Sequence, residues 1–333
     1  MPGRRAFVAG LAGGLLAPGL ARAGTGRTQE GGPELVPVGR VATDLYPKSV
    51  ARAPDGRLWV CHFGRADGDN VWVYEPERLE RVGVVEFEGN AVETAFGPGR
   101  AYVSNFRRGV VHAIDPRDHR VLGEVWVGPH PKSMLVSPSG HRLYAANYSA
   151  ERVSIVDTET LSLVRHVRTG VQPRGLAMRP DGSWYVASFR SRRIQHYDAD
   201  GESLGEFRSC PYPRHLQLAG SAPDALYVTC SLGSVSAYDA TRGRRTLYAV
   251  AGGNPRTLGL SADGRWAASA NFRTSDVTLV DTRAMTHRAC PVPGASRLVG
   301  LALVVEGEKL RVWATGWDDH QLHALEADVP PSV

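Results

Sequence analysis

The chain has 333 residues, of which 42% are hydrophobic and 22% are charged, and its formal net charge is +5 at pH 7. This composition excludes a disordered or fibrous chain and indicates a globular protein with a real core. The positive charge is modest, because residues 1–23 contribute three arginines and no acid, so that the rest of the chain carries about +2.

The N-terminus has the pattern of an export signal. The pair Arg4-Arg5 is followed by a Gly-, Ala- and Leu-rich stretch to Leu20, and Ala21-Arg22-Ala23 matches the small-x-small cleavage rule. The apolar stretch is too short to span a membrane. We predict a twin-arginine signal peptide at 1–23, a flexible tether at 24–33, and a periplasmic or secreted protein without membrane insertion or a nucleic-acid partner.

Beyond the tether, a unit of four short strands recurs with a period near 40 residues. An acidic residue closes the third strand of each unit, and neighbouring copies lie 40 to 45 positions apart. These acidic residues are Glu75, Asp115, Asp157, Asp198, Asp239, Asp281 and Glu326. The pattern is typical of propeller blades, so we predict an all-β, seven-bladed β-propeller at 34–328 with a C-terminal tail at 329–333.

The last unit stops after its third strand, near Asp328, while a strand-like segment from Leu35 to Val41 precedes the first unit. If this segment pairs with the last unit, the ring closes and no inner edge stays exposed. We therefore predict that residues 34–41 supply the missing strand of the seventh blade.

The third unit, residues 127–170, contains the patterns Gly-x-x-Pro, Ser-Pro-x-Gly, Leu-Tyr-Ala-Ala-Asn and Val-Ser-Ile-Val-Asp-Thr-Glu-Thr. It resembles the YVTN-type seven-bladed β-propeller repeat family, and the resemblance covers almost the whole mature chain. The resemblance implies the propeller fold and an extracytoplasmic location. It does not imply one activity, since relatives include binding proteins, dehydrogenase subunits and, more distantly, propeller lactonases and lyases.

A basic residue follows the inter-blade link in six of the seven units, with Glu93 in the second. In a propeller these links share one face, called the top here, with the loops between the second and third strands. The basic residues are Lys48, Lys132, Arg174, Arg214, Arg256 and Arg297. We predict that they converge on the channel and bind an anionic small molecule or an acidic protein partner, because a cleft lined by one sign focuses the field. The alternative is that each base only solvates a strand end or pairs with a neighbouring acid.

A second polar ring ends the second strands and is usually followed by an aromatic residue. Its members are His62, Asn105, Asn147, Ser188, Cys230 and Asn271. We expect Asn105, Asn147 and Asn271 to orient a ligand at the mouth, with the aromatic residues as walls. In the structural alternative, the polar residues bond to loop backbone and the aromatic residues pack between blades.

Two further hypotheses remain open. His62, Asp318, Asp319 and His320 could hold a divalent metal ion, with His62, Asp318 and His320 as catalytic residues of a metal-assisted lactonase, hydrolase or lyase. Solvated loop residues are the structural alternative. The third hypothesis is an accessory subunit of a periplasmic redox enzyme.

The four cysteines form neither a Cys-x-x-Cys metal site nor a haem attachment motif. Cys210 starts the fifth blade and Cys230 ends its second strand, so a disulfide between them is feasible in an oxidising compartment. We expect Cys61 to be buried and the protein to be a monomer.

Overall fold

The computed structural model describes residues 26–64, 68–220 and 222–330, and the predicted signal peptide at 1–23 lies outside the described residues. Thirty β-strands and no helix are found in this part of the chain. They form seven sheets with four antiparallel strands each, and two of the sheets carry one additional strand. The prediction of an all-β, seven-bladed β-propeller is confirmed.

The first four blades follow the chain order, and each begins with the strand that lines the channel. Blade 1 comprises β4 (Pro47–Arg52), β5 (Leu58–His62), β6 (Val71–Glu75) and β7 (Glu80–Val85). Blade 2 comprises β8 (Ala91–Gly97), β9 (Arg100–Asn105), β10 (Val110–Ile114) and β11 (Val121–Trp126). Blade 3 comprises β12 (Pro131–Val136), β13 (Arg142–Asn147), β14 (Arg152–Asp157) and β15 (Ser162–Arg168). Blade 4 comprises β16 (Pro173–Met178), β17 (Trp184–Ser188), β18 (Arg193–Tyr197) and β19 (Ser203–Arg208).

The remaining three blades each include strands from the N-terminal segment. Blade 5 comprises β20 (Pro213–Ala219), β21 (Ala222–Cys230), β22 (Ser234–Asp239), β23 (Arg244–Val250) and the added β1 (Gly26–Arg27). Blade 6 comprises β24 (Pro255–Leu260), β25 (Trp266–Asn271), β26 (Asp276–Asp281), β27 (Thr286–Pro291) and the added β2 (Gln29–Glu30). Blade 7 comprises β28 (Leu298–Glu306), β29 (Lys309–Gly316), β30 (Gln321–Asp328) and β3 (Val36–Ala42).

Ring closure depends on β3, which pairs antiparallel with β30 as the outer strand of blade 7. The register shifts between Pro37 and Gly39, and an edge strand tolerates Pro37 because its outer side needs no ladder bond. The predicted closure of the ring by an N-terminal strand is confirmed, and the strand spans Val36–Ala42.

The segment expected to be a flexible tether instead forms part of the sheet edges. β1 pairs parallel with β23 of blade 5, and β2 pairs parallel with β27 of blade 6. The Thr28 hydroxyl lies 2.8 Å from Nδ1 of His287 and fixes the chain between the two strands. The outer strands leave a row of unpaired backbone groups, and the passing chain satisfies part of that row.

The predicted tail also begins in contact with the last blade. Val329 is buried, and its amide donates a hydrogen bond to the Glu308 carbonyl at 2.8 Å. Residues 331–333 lie outside the described part.

The apolar core consists of seven clusters, one between each pair of neighbouring blades. Their largest fully buried side chains include Trp59, Trp184 and Trp266, the first residues or nearly so of the second strands in blades 1, 4 and 6. Because blade packs on blade all around the ring, the innermost strands are held rigidly around the channel. This rigidity sets the geometry of the site.

Candidate functional site

Each innermost strand has an irregular step near its top end. The first residue pairs with the last residue of the second strand in every blade, as in Pro47 with His62, and the register then shifts. Such a bulge leaves the next residue out of the ladder and re-aims its side chain. The second residue of each innermost strand is therefore presented to the channel.

These second residues form the channel ring, and five of the seven are basic. They are Lys48, Val92, Lys132, Arg174, Arg214, Arg256 and Val299, in blade order. The five basic side chains line one cavity of about 60 Å³ near the top of the channel. Five of the six bases that were predicted to converge on the channel therefore line the same cavity.

In two blades, the residue predicted for the ring lies one or two positions away in sequence from the residue that occupies the ring. Blade 2 contributes Val92, and Glu93 follows it by one residue although it still lines the cavity. Blade 7 contributes Val299, because Leu298 is the residue that pairs with Gly316. Arg297 instead precedes the strand in a left-handed conformation, with φ of 55°, and its Nε lies 3.2 Å from Oδ2 of Asp318. The alternative of pairing with a neighbouring acid therefore holds for Arg297.

A repeated backbone bond places an aromatic rim directly above the channel ring. In every blade, the amide of the residue after the second strand donates to the carbonyl of the residue before the innermost strand, at 3.0 to 3.2 Å. The half-buried aromatic residues at this position are Phe63, Phe106, Tyr148, Phe189, Phe272 and Trp317, and blade 5 has Ser231. Backbone bonding, which repeats with the blades, thus fixes the height of the rim above the cations.

The rim residues hold the cations in place through cation–π contacts. Lys132 Nζ lies 4.0 Å from the centre of the Tyr148 ring, and the Arg174 guanidinium lies 4.9 Å from the ring centres of both Tyr148 and Phe189. Arg256 lies 3.9 Å from the centre of the Phe272 ring. Each such contact stabilises a cation by roughly 0.5–2 kcal/mol, depending on its desolvation.

Arg214 is the most buried of the five bases and is held differently. Its side chain is 7% exposed, and its Nη1 donates to Oδ1 of Asn254 at 3.1 Å and to the Ser231 hydroxyl at 3.4 Å. These neutral acceptors orient the guanidinium without cancelling its charge. The positive charge of Arg214 is therefore left for a ligand.

Burial and mutual repulsion depress the pKa values around the channel ring. The pKa of Lys132 is lowered to about 5, first by burial and then by the charges of Arg174 and Lys48. Burial also lowers the pKa of Lys48 well below its usual value, and Arg256 and Arg174 add to the effect. The pKa of Arg214 is likewise lowered, and that of Arg256 falls to about 10, in both cases mainly by burial and then by nearby arginines. A bound anion would oppose all of these shifts.

The negative charge at the cavity is small. Glu93 is the single carboxylate among the described residues that line it, and its Oε1 lies 3.7 Å from Nε2 of His215. Nδ1 of His215 accepts the Leu258 amide at 3.3 Å. The Nε donors of Arg174 and Arg256 are buried without a hydrogen-bond partner among the described residues. The cavity therefore has an excess of positive charge and unsatisfied donors.

Hydroxyl groups on the second strands tie the bulges of neighbouring blades together. The Ser104 hydroxyl accepts the Glu93 amide at 3.2 Å and donates to the Lys132 carbonyl at 3.0 Å. Thr229 makes the same pair of bonds to the His215 amide and the Arg256 carbonyl, at 3.2 and 3.3 Å. These ties fix the backbone that carries the cations, and the sequence analysis did not anticipate them.

The polar ring at the ends of the second strands, called the collar here, lies inside the blades. Asn105, Asn147 and Asn271 are fully buried, and none of them lines the channel cavities. The Asn271 amide donates to Asp276 and Thr278, both at 2.9 Å, and that of Asn147 donates to the Ser154 hydroxyl at 2.7 Å. The Asn105 amide donates to the Glu88 carbonyl at 2.7 Å. The structural alternative of bonding to loop backbone therefore holds for Asn105, whereas Asn147 and Asn271 bond to side chains within their blades. These contacts do not support a ligand-orienting role.

The proposed metal and catalytic residues do not meet at one point. His62 is fully buried, and its Nε2 accepts the Asp44 amide at 3.3 Å. Asp319 Oδ2 lies 2.6 Å from Nε2 of His323, whereas Nδ1 of His320 accepts the Tyr46 amide at 3.1 Å. Asp318 pairs with Arg297, as described above.

In the described ranges, no group of three or more His, Cys, Asp or Glu side chains is arranged to hold a metal ion. The four side chains are each turned toward a different partner by the loop backbone, so the predicted cluster is not formed.

The predicted disulfide is present. Cys210 and Cys230 are bonded, with Cα atoms 6.0 Å apart, and both residues are buried in blade 5. Cys61 is buried as expected, and the Cys290 thiol accepts the Leu35 amide at 3.4 Å. The described residues include no helix with the length and hydropathy needed to cross a membrane.

Comparisons with known proteins support the fold. No family model matches the chain. Antigen Lp49 of Leptospira interrogans serogroup Icterohaemorrhagiae serovar copenhageni (strain Fiocruz L1-130) is 25% identical over 251 residues, which cover 69% of this chain and 53% of the relative. The chain thus spans about half the length of the curated relative that it matches.

A solved structure, the Kuenenia stuttgartiensis hydrazine synthase, superimposes with a TM-score of 0.71. Its sequence identity is 17%, and the match covers 85% of this chain and 96% of that chain. A likeness at this identity shows the shared β-propeller fold.

Proposed function

We propose that the top mouth of the channel binds an anionic small molecule. The observation that supports this most strongly is the concentration of five basic side chains around one small cavity that contains a single carboxylate among its described lining residues. Carboxylates and phosphates are the groups that such Lys and Arg clusters recognise. The cations lie below the aromatic rim, which favours a small molecule over the broad surface of an acidic protein partner.

The electrostatics of the ring favour the same function. Burial is the main cause of the lowered pKa values of Lys48 and Lys132, and repulsion by the neighbouring cations adds to it. A ligand that binds only the folded state stabilises it in proportion to the logarithm of its concentration. An anion in the ring should therefore raise the stability of the protein markedly.

The test is anion binding by the Arg174→Ala/Arg214→Ala double variant. Inorganic phosphate and succinate serve as probes, in low-chloride buffer, with calorimetry and thermal denaturation as readouts. Removing two charge-assisted contacts, each worth about 1.5–3 kcal/mol, should weaken binding at least tenfold.

The matched control is Arg117→Ala/Arg242→Ala, which removes the same charge from exposed turns at the opposite end of the blades. It should leave affinity within about twofold. Equal affinities in the wild type and the channel-ring variant would refute the proposal.

The metal-assisted hypothesis is not carried further, because His62, Asp319 and His320 are engaged separately. The hydrazine synthase likeness rests on the fold, and no role in a redox assembly is transferred from it. Membership of the YVTN-type repeat family is part of our proposal on the strength of the motifs in residues 127–170.

We also propose that the chain is exported by the twin-arginine route to an extracytoplasmic compartment. The Arg4-Arg5 motif and the Cys210–Cys230 disulfide support it, since disulfides persist in oxidising compartments. An Arg4→Lys/Arg5→Lys variant should stay in the cytoplasm on fractionation, with both thiols reduced. Unchanged export would contradict the route.

A further inference from the structure

We propose that the ligand of the mouth carries a planar apolar body next to its anionic group, as an aromatic carboxylate does. This inference rests on the proposed anion site and specifies what else the site recognises. It follows from the unequal distribution of side chains around the channel ring.

The channel ring has a basic arc and an apolar arc. Lys132, Arg174, Arg214 and Arg256 occupy four consecutive blades, 3 to 6. In blades 7, 1 and 2 the corresponding residues are Val299, Lys48 and Val92. Val92 is 4% exposed and Val299 is 1% exposed, so the apolar arc forms a closed wall around a single lysine.

The rim above the apolar arc is continuous and aromatic. The ring centre of Phe63 lies 5.4 Å from that of Phe106 and 5.8 Å from that of Trp317. Tyr46 extends this wall, 5.1 Å from Trp317, and His130 stacks on Phe106 from behind at 4.2 Å. Above the basic arc, Arg174 lies 4.9 Å from the ring centres of both Tyr148 and Phe189. The cation contacts of the wall are longer, with Lys132 Nζ 5.4 Å from the ring centre of Phe106 and Lys48 Nζ 5.8 Å from that of Trp317.

The wall encloses space for a ligand body. A cavity of about 240 Å³, called the vestibule here, is lined by apolar residues of the ring and rim together with three cations. Its lining comprises Phe63, Val92, Phe106, Phe272, Val299, Trp317, Lys48, Lys132 and Arg256. Lys48, Lys132, Arg256 and Val92 also line the deeper cavity, so the two spaces adjoin.

This arrangement suits one class of anion. An inorganic anion or a short aliphatic acid would use the cations and leave the aromatic wall in contact with water. A planar ring attached to a carboxylate can lie along Phe63, Phe106 and Trp317 while the carboxylate reaches the basic arc. Offset or edge-on contacts between aromatic rings, together with burial of the ligand ring, favour this pose.

The test compares 2-naphthoate with acetate, two carboxylates that differ in the planar body. We expect the wild type to bind 2-naphthoate at least tenfold more tightly than acetate in calorimetry. A Phe63→Ala/Phe106→Ala variant should lose that preference at least tenfold, while acetate and phosphate binding weaken less, because Phe106 also lies 5.4 Å from Lys132 Nζ. Phe63→Leu/Phe106→Leu provides a milder change if the alanine variant does not fold.

Trp126→Ala is the matched control, because Trp126 is an exposed aromatic residue on an outer strand, far from the channel. This variant should bind 2-naphthoate and acetate with the same affinities as the wild type. The Arg174→Ala/Arg214→Ala variant should weaken the binding of both ligands. Undiminished binding of 2-naphthoate to this variant would overturn the inference, because the planar body of the ligand would then bind without the channel ring.

The outcomes separate the two proposals. Equal affinities for 2-naphthoate and acetate in the wild type, both weakened by the channel-ring variant, would overturn the planar body and leave the anion site standing. Failure of phosphate, succinate, acetate and 2-naphthoate alike to bind would overturn both.

Discussion

The channel ring and the collar both lie near the top face, with basic residues in five blades of the ring and six residues in the collar, yet they do opposite things. The bases of the channel ring follow the first residue of the innermost strand and project into a shared cavity. The collar residues end the second strand and are fully buried inside the blades. Lys132 and Asn147 belong to the same blade, and Asn147 pairs with Pro131, the residue next to Lys132.

The difference shows that register, and not residue chemistry alone, decides which polar residue can meet a ligand. The bulge after Pro131 takes Lys132 out of the ladder, whereas Asn147 pairs regularly with Arg152 on the next strand. A buried amide can satisfy itself within the blade, as Asn271 does with Asp276 and Thr278. A protonated lysine or an arginine has only donors, so it is useful where an anion can arrive.

The largest expected effect concerns the collar position of blade 5, where Cys230 is tied to Cys210. A Cys210→Ala/Cys230→Ala variant should lose about 3 kcal/mol of unfolding free energy, the value expected for closing a loop of roughly 20 residues. Urea denaturation measures this loss. Phosphate affinity of the folded variant should stay within about twofold, and a loss as large as that of the Arg174/Arg214 variant would break the distinction between channel ring and collar.

An amide of the collar should behave in the same way on a smaller scale. Asn271→Ala removes the buried amide that donates to the Thr278 hydroxyl and the Asp276 carboxylate, which should cost about 1–3 kcal/mol of unfolding free energy. Anion affinity should be unchanged, and a tenfold loss of affinity would show that the collar takes part in anion binding.

The lowered pKa of Lys132 in the channel ring should make the stability of the protein depend on pH. The pKa of Lys132 is about 5 in the folded chain, below the value near 10.4 expected when unfolded, so the unfolded chain binds more protons between these limits. Stability should therefore rise with pH across that window. Lys132→Met should flatten the rise, as should saturating phosphate, when melting is followed from pH 6 to pH 9.

Lys309→Met is the control for this slope, because Lys309 is an exposed lysine paired with Asp328 at 2.7 Å. Its removal should leave the slope in place. If stability rises with pH equally in the wild type and in Lys132→Met, the pKa of Lys132 is not lowered by its surroundings.

The smallest expected effect comes from the carboxylate in the cavity. Glu93→Gln should strengthen phosphate binding about fourfold to sixteenfold, because it removes a like charge that lies on the order of 10 Å from the anion in a medium of effective dielectric constant about 20–40. Glu202→Gln, at an exposed turn paired with Arg165, should change nothing. Weaker binding by Glu93→Gln would mean that the carboxylate contacts the ligand or its proton directly.

The sequence was sufficient for the fold because each blade repeats its strands, turns and acidic marker, and because Leu35–Val41 was the one strand left to close the ring. It was sufficient for the channel ring only where a proline marks the register, as before Lys48 and Lys132. In blades 2 and 7 Ala91 and Leu298 replace that proline, and the ring positions were misassigned to Glu93 and Arg297.

Other features depended on contacts that no repeat encodes. The two-residue strands β1 and β2 are too short to give a strand signal, so the tether was expected to be free. His62 and His320 accept the backbone amides of Asp44 and Tyr46, contacts that their spacing in the sequence does not reveal. The apolar arc was missed because Val92 and Val299 are unremarkable until the bulge turns them toward the channel.

Anomalous diffraction from a crystal soaked in selenate would locate a bound anion directly. We predict a selenium peak in the channel among Lys132, Arg174, Arg214 and Arg256, at hydrogen-bond distance from at least two of their side chains. Selenate found only on exposed outer arginines, with water alone in the channel, would contradict the assignment of the ring as an anion site.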